Sequence, residues 1–143
     1  MALPTDRSMS APLIVQLTQA WTVPTWVRRT VLLVAGVAFL ALLAQVRIPV
    51  GPVPVTGQTF GVLLLGMAYG ARGGALTTLA YVLLGAAGAP IFTAFSAGLA
   101  GVTAVYLLAF PIAAYLFGRL SELGFDRSPV RTALAMLVGT AVI

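Results

Sequence analysis

Residues 30–46 read TVLLVAGVAFLALLAQV, a run without one charged side chain. Such a stretch, apolar on every helical face, is expected to be a helix that crosses lipid. Trp21, Trp26, Arg28 and Arg29 precede it, and indole rings beside arginines read as an interfacial anchor. Behind it comes Arg47-Ile48-Pro49-Val50-Gly51-Pro52-Val53-Pro54. Prolines at 49, 52 and 54 fix φ and remove backbone donors, so a stiff extended loop is expected there rather than helix.

Working outward, the same pattern repeats. A second apolar segment covers residues 56–69 and a third 74–85, joined by a tight turn at Gly70-Ala71-Arg72-Gly73-Gly74. Both are shorter than the roughly 20 residues a full crossing needs, as in broken or partly inserted helices. Residues 86–101 form an uncharged loop with Pro90, Phe92, Thr93, Phe95 and Ser96. The fourth span is expected at 102–120, with Pro111 near its middle, and a polar stretch follows at 119–131. A fifth begins near Val130 and is still apolar at Ile143, so the chain is expected to be cut in mid-helix. The reading is an all-α integral membrane bundle of about five segments: a cytoplasmic or interfacial stretch over 1–29, then a membrane-embedded domain over 30–143.

Composition agrees. Of 143 residues 60% are hydrophobic and 8% charged, against roughly 25% charged in soluble domains; mean hydropathy is +1.05. All eight cations are arginines, scattered between apolar runs rather than gathered on one basic face, which argues against nucleic acid. With no cysteine or histidine, disulfides, thiol catalysis, zinc clusters and imidazole acid–base chemistry are excluded. The phosphate-cradling Gly-x-x-x-x-Gly-Lys-[Ser/Thr] motif is absent and there is no lysine to build it, so the chain is not expected to hydrolyse ATP. None of the three acids, Asp6, Glu122 and Asp126, falls inside an expected span, which counts against a proton-coupled exporter. No cofactor and no metal are expected.

Charge bias also sets an expected orientation. With a cytoplasmic N-terminus, Arg7, Arg28, Arg29, Arg72, Arg119, Arg127 and Arg131 lie inside and only Arg47 outside. The proline loop and the 86–101 loop then share the exterior. Glycines four apart, Gly57 with Gly61, Gly66 with Gly70 and Gly70 with Gly74, suit close helix approach, although glycine is also simply frequent in membrane helices.

The densest polar constellation is Thr56-Gly57-Gln58-Thr59, where the proline loop enters a short helix. Two hydroxyls, an amide and helix-terminal N–H groups could hold a neutral, amide-like solute. The alternative is that Thr56 only caps the helix and Gln58 sits in the interface. Tyr81, nearer mid-segment than either end, is a second candidate, as pocket or interfacial belt. Phe92 and Ser96 could add an apolar wall and a polar contact, or be membrane anchors. Thr103 and Tyr106 share a helical face, for binding or packing.

These residues resemble the BioY family, the biotin-capturing membrane subunits of energy-coupling-factor transporters. The family's Pro-x-Pro-x-Thr-x-Gln-Thr is matched by residues 52–59, its inside turn by Gly66, Gly70, Arg72 and Gly74, and a third signature by residues 81–92. Phe110-Pro111-Ile112-Ala113-Ala114 with Gly118 is similar to the family's fourth helix. There are departures. Gly101-Val102-Thr103-Ala104-Val105-Tyr106 stands where the family usually shows Gly-Pro-Thr-Gly-Gly-Tyr, and Ala109 where glycine is common. The family has six spans, and the Asp and Lys it places near the ligand have no counterpart here. In place of Ala-x-x-x-Ala, Ala35, Ala38, Ala41 and Ala44 recur every third residue, so Ala35, Ala38 and Ala41 are a plausible docking face that does not match the motif.

The resemblance implies a multi-pass protein of the cell membrane that binds biotin from outside. Thr56, Gln58, Thr59, Tyr81, Phe92, Ser96, Thr103 and Tyr106 would be its contacts. It would work with a transmembrane coupling protein and two cytoplasmic ATPases, making no covalent change itself. The competing expectation is a structural or interaction membrane protein, or a truncated, binding-defective subunit, in which the same residues only pack.

Overall fold

A computed structural model describes residues 22–48, 55–99 and 101–124, with the backbone alone at 55 and 101–103. The expected fifth segment and Asp126 lie outside these residues. The first helix, α1, spans Thr25–Leu43. It starts earlier than expected because Trp26, Arg28 and Arg29 lie inside its first turns rather than before it. Arginine is a good helix former, and Pro24, which needs no N–H, leads the chain in. Beyond Leu43 the helix tightens, with the Gln45 and Val46 amides donating to Leu42 and Leu43 three residues back.

The proline loop is closed at its base by a two-residue antiparallel ladder. Strand β1 (Arg47–Ile48) pairs with β2 (Val55–Thr56), Arg47 opposite Thr56 and Ile48 opposite Val55. The Gly57 amide adds a bond of 2.9 Å to the Val46 carbonyl. The two ends of the loop are therefore pinned side by side; residues 49–54, where the stiff extended stretch is expected, are outside the described part.

Helix α2 runs over Gln58–Ala86 and is helical throughout except at Gly70. With φ 78° and ψ 174°, Gly70 occupies a backbone region essentially closed to residues with a Cβ. There the chain reverses. Gln58 and Tyr81 would be about 34 Å apart along an unbroken helix at 1.5 Å per residue, yet their side chains are hydrogen-bonded at 2.6 Å. By length and composition α2 could be one membrane span, as could α1 and residues Ala104–Glu122 of α3 below. Its geometry makes it a hairpin of two arms, 58–69 and 71–86, as its two short apolar segments suggest. The arms rise only about 18 and 24 Å.

After a single turn of 3-10 helix at Thr93–Phe95, helix α3 covers Gly101–Glu122 with Pro111 inside it. It continues past the expected boundary at 120, because Glu122 pairs with Arg119 at 3.2 Å and accepts the Ala71 amide at 3.0 Å. Ser121 Oγ donates to the Met67 carbonyl. The last turn of α3 thus ties together both arms where the hairpin reverses, satisfying backbone groups that lipid could not.

Small residues let the arms touch. A methyl built on Gly66 would lie 2.5 Å from the Ala114 carbonyl oxygen, and one on Gly74 2.7 Å from the Gly66 Cα. One on Gly118 would collide with the backbone of Gly70 and Ala71. Helix α1 packs through Gly36 against Thr77 and Tyr69, and its Leu40 and Leu43 fill the space over Gly61. The described bundle is α1, the two hairpin arms and α3, alternating in direction.

Its core holds Leu40, Val62, Tyr81, Leu107, Phe110 and Phe117. Polar Gln58, Thr77, Thr78 and Ser121 are buried with it, while Val34, Leu42, Leu76, Leu83, Val105 and Ile112 face outward. An all-round apolar exterior over a partly polar interior is the distribution expected of helices solvated by lipid. Arg28 and Arg29 near the start of α1, Arg72 beside the reversal and Arg119 in the last turn of α3 fall at one end, and Arg47 at the other.

Candidate functional site

At the end of the bundle away from Gly70, three connections meet: the close of α1, the β1–β2 ladder and the loop after Ala86. Gln58 opens α2 there, and its side chain is 2% exposed. Its carbonyl oxygen accepts Thr56 Oγ1 at 2.8 Å and Thr93 Oγ1 at 3.4 Å, while Nε2 donates to the Tyr81 hydroxyl at 2.6 Å. The Tyr81 hydroxyl in turn donates to the Ile91 carbonyl at 2.9 Å. One continuous line of hydrogen bonds therefore runs from the proline loop, through both hairpin arms, into the second loop.

Phe92 extends this arrangement on the apolar side. Its ring is buried edge-on to Tyr81, with centroids 5.4 Å apart and planes at 69°, over Gly85, where any Cβ would collide with it. The glycine in the Tyr81–Phe92 stretch is thus a seat for the phenylalanine ring. Gln45, at the end of α1, holds the same residue by its backbone, donating to the Phe92 carbonyl at 3.1 Å and to Ala41 at 3.2 Å.

A second polar pair starts from the next residue of the first arm. Thr59 Oγ1 and the Tyr106 hydroxyl are 2.6 Å apart and half-buried. The Tyr106 ring is fixed edge-on to the buried Phe110 at 5.1 Å. Every group in both clusters is neutral: hydroxyl, amide, carbonyl and aromatic ring. Such a set can hydrogen-bond an uncharged polar group and pack a ring, and it supplies neither proton acid nor nucleophile at ordinary pH. Among the described residues there is no gathering of three or more His, Cys, Asp or Glu that could hold a metal.

The residues expected from sequence therefore divide. Thr56, Gln58, Tyr81 and Phe92 come together as a buried, internally bonded cluster, and Thr59 and Tyr106 form the half-buried pair. Ser96 is exposed and bonds back to the Thr93 carbonyl, part of the turn rather than the cluster. Thr103 lies in the first turn of α3, but its side chain is outside the described residues. On α1, Ala35 and Ala38 face outward, whereas Ala41 turns partly inward against the core. Sequence reading missed Gln45 and Thr93. Gln45 did carry a signal, being the one amide in the apolar run that opens the membrane domain.

Known proteins share this framework. A crystal structure of the S-component for biotin from an ECF-type ABC transporter superposes with a TM-score of 0.74 at 25% identity, covering 86% of this chain and 70% of that one. The probable biotin transporter BioY of Pyrococcus horikoshii is 42% identical over 110 residues, 75% of this chain and 64% of the relative. The biotin transporter BioY of Thermotoga maritima is 42% identical over 96 residues, 64% of this chain and 57% of the relative. This chain thus spans less than two-thirds of either relative's length. With the BioY family profile matching residues 10–143, nearly the whole sequence, the chain belongs to the BioY family.

Proposed function

We propose that this chain is the biotin-binding membrane subunit of a vitamin importer of the cell membrane. The observation that carries the reading is the convergence of both loops on one neutral, aromatic-walled cluster at the Gln58–Tyr81 hydrogen bond. A ureido group wants neutral donors and acceptors, and a fused apolar ring wants aromatic walls; the relatives' names point to the same ligand. The half-buried Thr59–Tyr106 pair is the group able to trade its mutual bond for a ligand's. Gln58, Tyr81 and Thr56 hold the loops in place around it, and Phe92 forms the wall. Ser96 and Thr103 remain candidate contacts from the loop and from the first turn of α3.

The subunit captures its solute from outside and makes no covalent change in it. The arginine-bearing end faces the cytoplasm, by the usual bias of cationic loops. Ala35 and Ala38, small residues on the outward face of α1 beside Val31 and Val34, are the docking surface for a transmembrane coupling protein. Two cytoplasmic ATPases supply the energy.

Equilibrium binding of labelled biotin to the detergent-purified chain tests this, with Thr59→Ala and Tyr106→Phe alongside Gln58→Ala. Saturable binding weakened at least tenfold by the first two supports it; a wild-type chain that takes up none defeats it. A second reading, a membrane protein with a packing role only, draws on the fact that Gln58 and Tyr81 are both buried and bonded to one another. Under it the three variants lose thermal stability and there is no binding to lose.

A further inference from the structure

We infer that Gln45 is a positioning residue, through which the hold of the second loop on the ligand depends on the placement of α1. The inference rests on the biotin-binding reading above.

The loop from Ala87 to Leu99 has few backbone partners outside itself. The Ala87 and Ala89 amides bond back to the end of α2, and the Gly98 amide donates to the Gly85 carbonyl at 2.7 Å. Between those points lies a tight turn, closed by the Phe92 amide on the Ser96 carbonyl at 3.1 Å. The turn is under strain: Ala94 and Phe95 both have positive φ, 57° and 55°, where a Cβ is disfavoured. Side chains hold it against that strain. Tyr81 takes the Ile91 carbonyl from the hairpin, and Gln45 takes the next carbonyl, that of Phe92, from α1. Two helices therefore grip adjacent peptide groups.

The grip from α1 differs in kind. Tyr81 is fully buried and locked by Gln58, whereas Gln45 is half-buried on the helix with the most outward-facing surface. Its Nε2 is shared between Phe92 and its own helix at Ala41, so losing Phe92 would leave it bonded at Ala41. Two residues on, β1 ties the same end of α1 to Thr56. A partner that shifts α1 against the hairpin would thus strain both loops at once, and the Gln45–Phe92 bond is the one built to part. The loop's own strain then favours opening.

The test compares Gln45→Leu, which keeps bulk and removes both donors, with Ser121→Ala, which deletes a comparable side-chain-to-backbone bond at the opposite end. Hydrogen exchange of the 88–98 segment and the dissociation rate of labelled biotin are read in lipid nanodiscs. A hydrogen bond of ordinary strength predicts about a fivefold rise in both for Gln45→Leu. Segment 71–80 should keep its exchange rate, and Ser121→Ala should move neither quantity. Unchanged exchange at 88–98, or an equal rise throughout the bundle, overturns the inference. A wild-type chain that takes up no biotin overturns the vitamin reading instead, and exchange still decides whether Gln45 positions the loop.

Discussion

The two ends of the bundle are joined by different means. At the reversal end, backbone meets backbone: Gly118 against Gly70 and Ala71, Gly66 against Ala114, Gly74 against Gly66, with Glu122 and Ser121 closing the gap. At the loop end, amide and hydroxyl side chains reach across between elements, from Thr56 through Gln58 and Tyr81 to Ile91, and from Gln45 to Phe92. Backbone contacts through glycine have no rotamer to change, so that end can only pack or fail. Side-chain bonds can be exchanged one at a time, for water or for a ligand's polar groups. The contrast puts rigidity near Gly70 and exchangeable bonds at the loop end, in the part-buried Gln45–Phe92 and Thr59–Tyr106 pairs.

The contrast can be broken by single substitutions. Gly118→Ala should have the largest effect, about 3 kcal/mol, because the added methyl meets backbone on the facing arm and nothing there can turn aside. A fall in the thermal unfolding midpoint in detergent, with loss of a monodisperse elution peak, is the outcome to look for. Tyr81→Phe comes next at about 1–2 kcal/mol, since it leaves Gln58 Nε2 and the Ile91 carbonyl without the hydroxyl that joins them. Its mark should be local, with faster hydrogen exchange in 88–98 and an unchanged rate in 60–68. If instead Tyr81→Phe melts the whole bundle as Gly118→Ala does, the two ends are not distinct.

Two smaller effects sharpen the picture. Glu122→Gln keeps an oxygen for the Ala71 amide but drops the negative charge at the start of the second arm, and should lower stability by about 0.5–1 kcal/mol. Glu122→Ala, which removes the acceptor too, should cost about twice that in the same melting assay. Ala94→Gly should fall within about 0.5 kcal/mol of wild type, as relief of the left-handed strain offsets the extra freedom of the unfolded chain. A clear gain in stability together with weaker biotin retention would mean that the strain serves binding.

Much of this architecture was legible in the apolar runs. Four helical segments, a tight turn among Gly70–Gly74 and a polar cluster at residues 56–59 all appear in the structure. Helix ends were less legible, for a physical reason. Arg28 and Arg29 read as preceding the first span and Glu122 as part of the polar connection, yet helices run on through the interface when a charge can reach water or a neighbour, as Glu122 does with Arg119. The reversal narrowed from five candidate residues to Gly70 alone because the three glycines look alike in sequence. Only in three dimensions does one take the forbidden backbone angles while Gly74 serves as a flat contact. Gln58 and Tyr81 both stand out in the sequence as polar candidates, but nothing there marks them as each other's partners. Twenty-three positions separate them, and that distance closes only once the hairpin exists. Gln45 escaped notice because one amide at the end of an apolar helix looks like an interfacial residue until Phe92 arrives from 47 residues away.

The shortness of the hairpin arms has a consequence for the surrounding bilayer. Phe60, Leu64, Leu76 and Leu83 carry the hairpin's apolar surface to the lipid, yet arms rising about 18 and 24 Å are no match for a hydrocarbon layer about 30 Å thick. Acyl chains beside the hairpin must compress or tilt, at a fraction of a kcal/mol for each ångström of mismatch. Acyl-chain length then becomes a thermodynamic variable of this protein: short-chain phospholipids should favour the folded hairpin, and a thicker, sterol-rich membrane should oppose it.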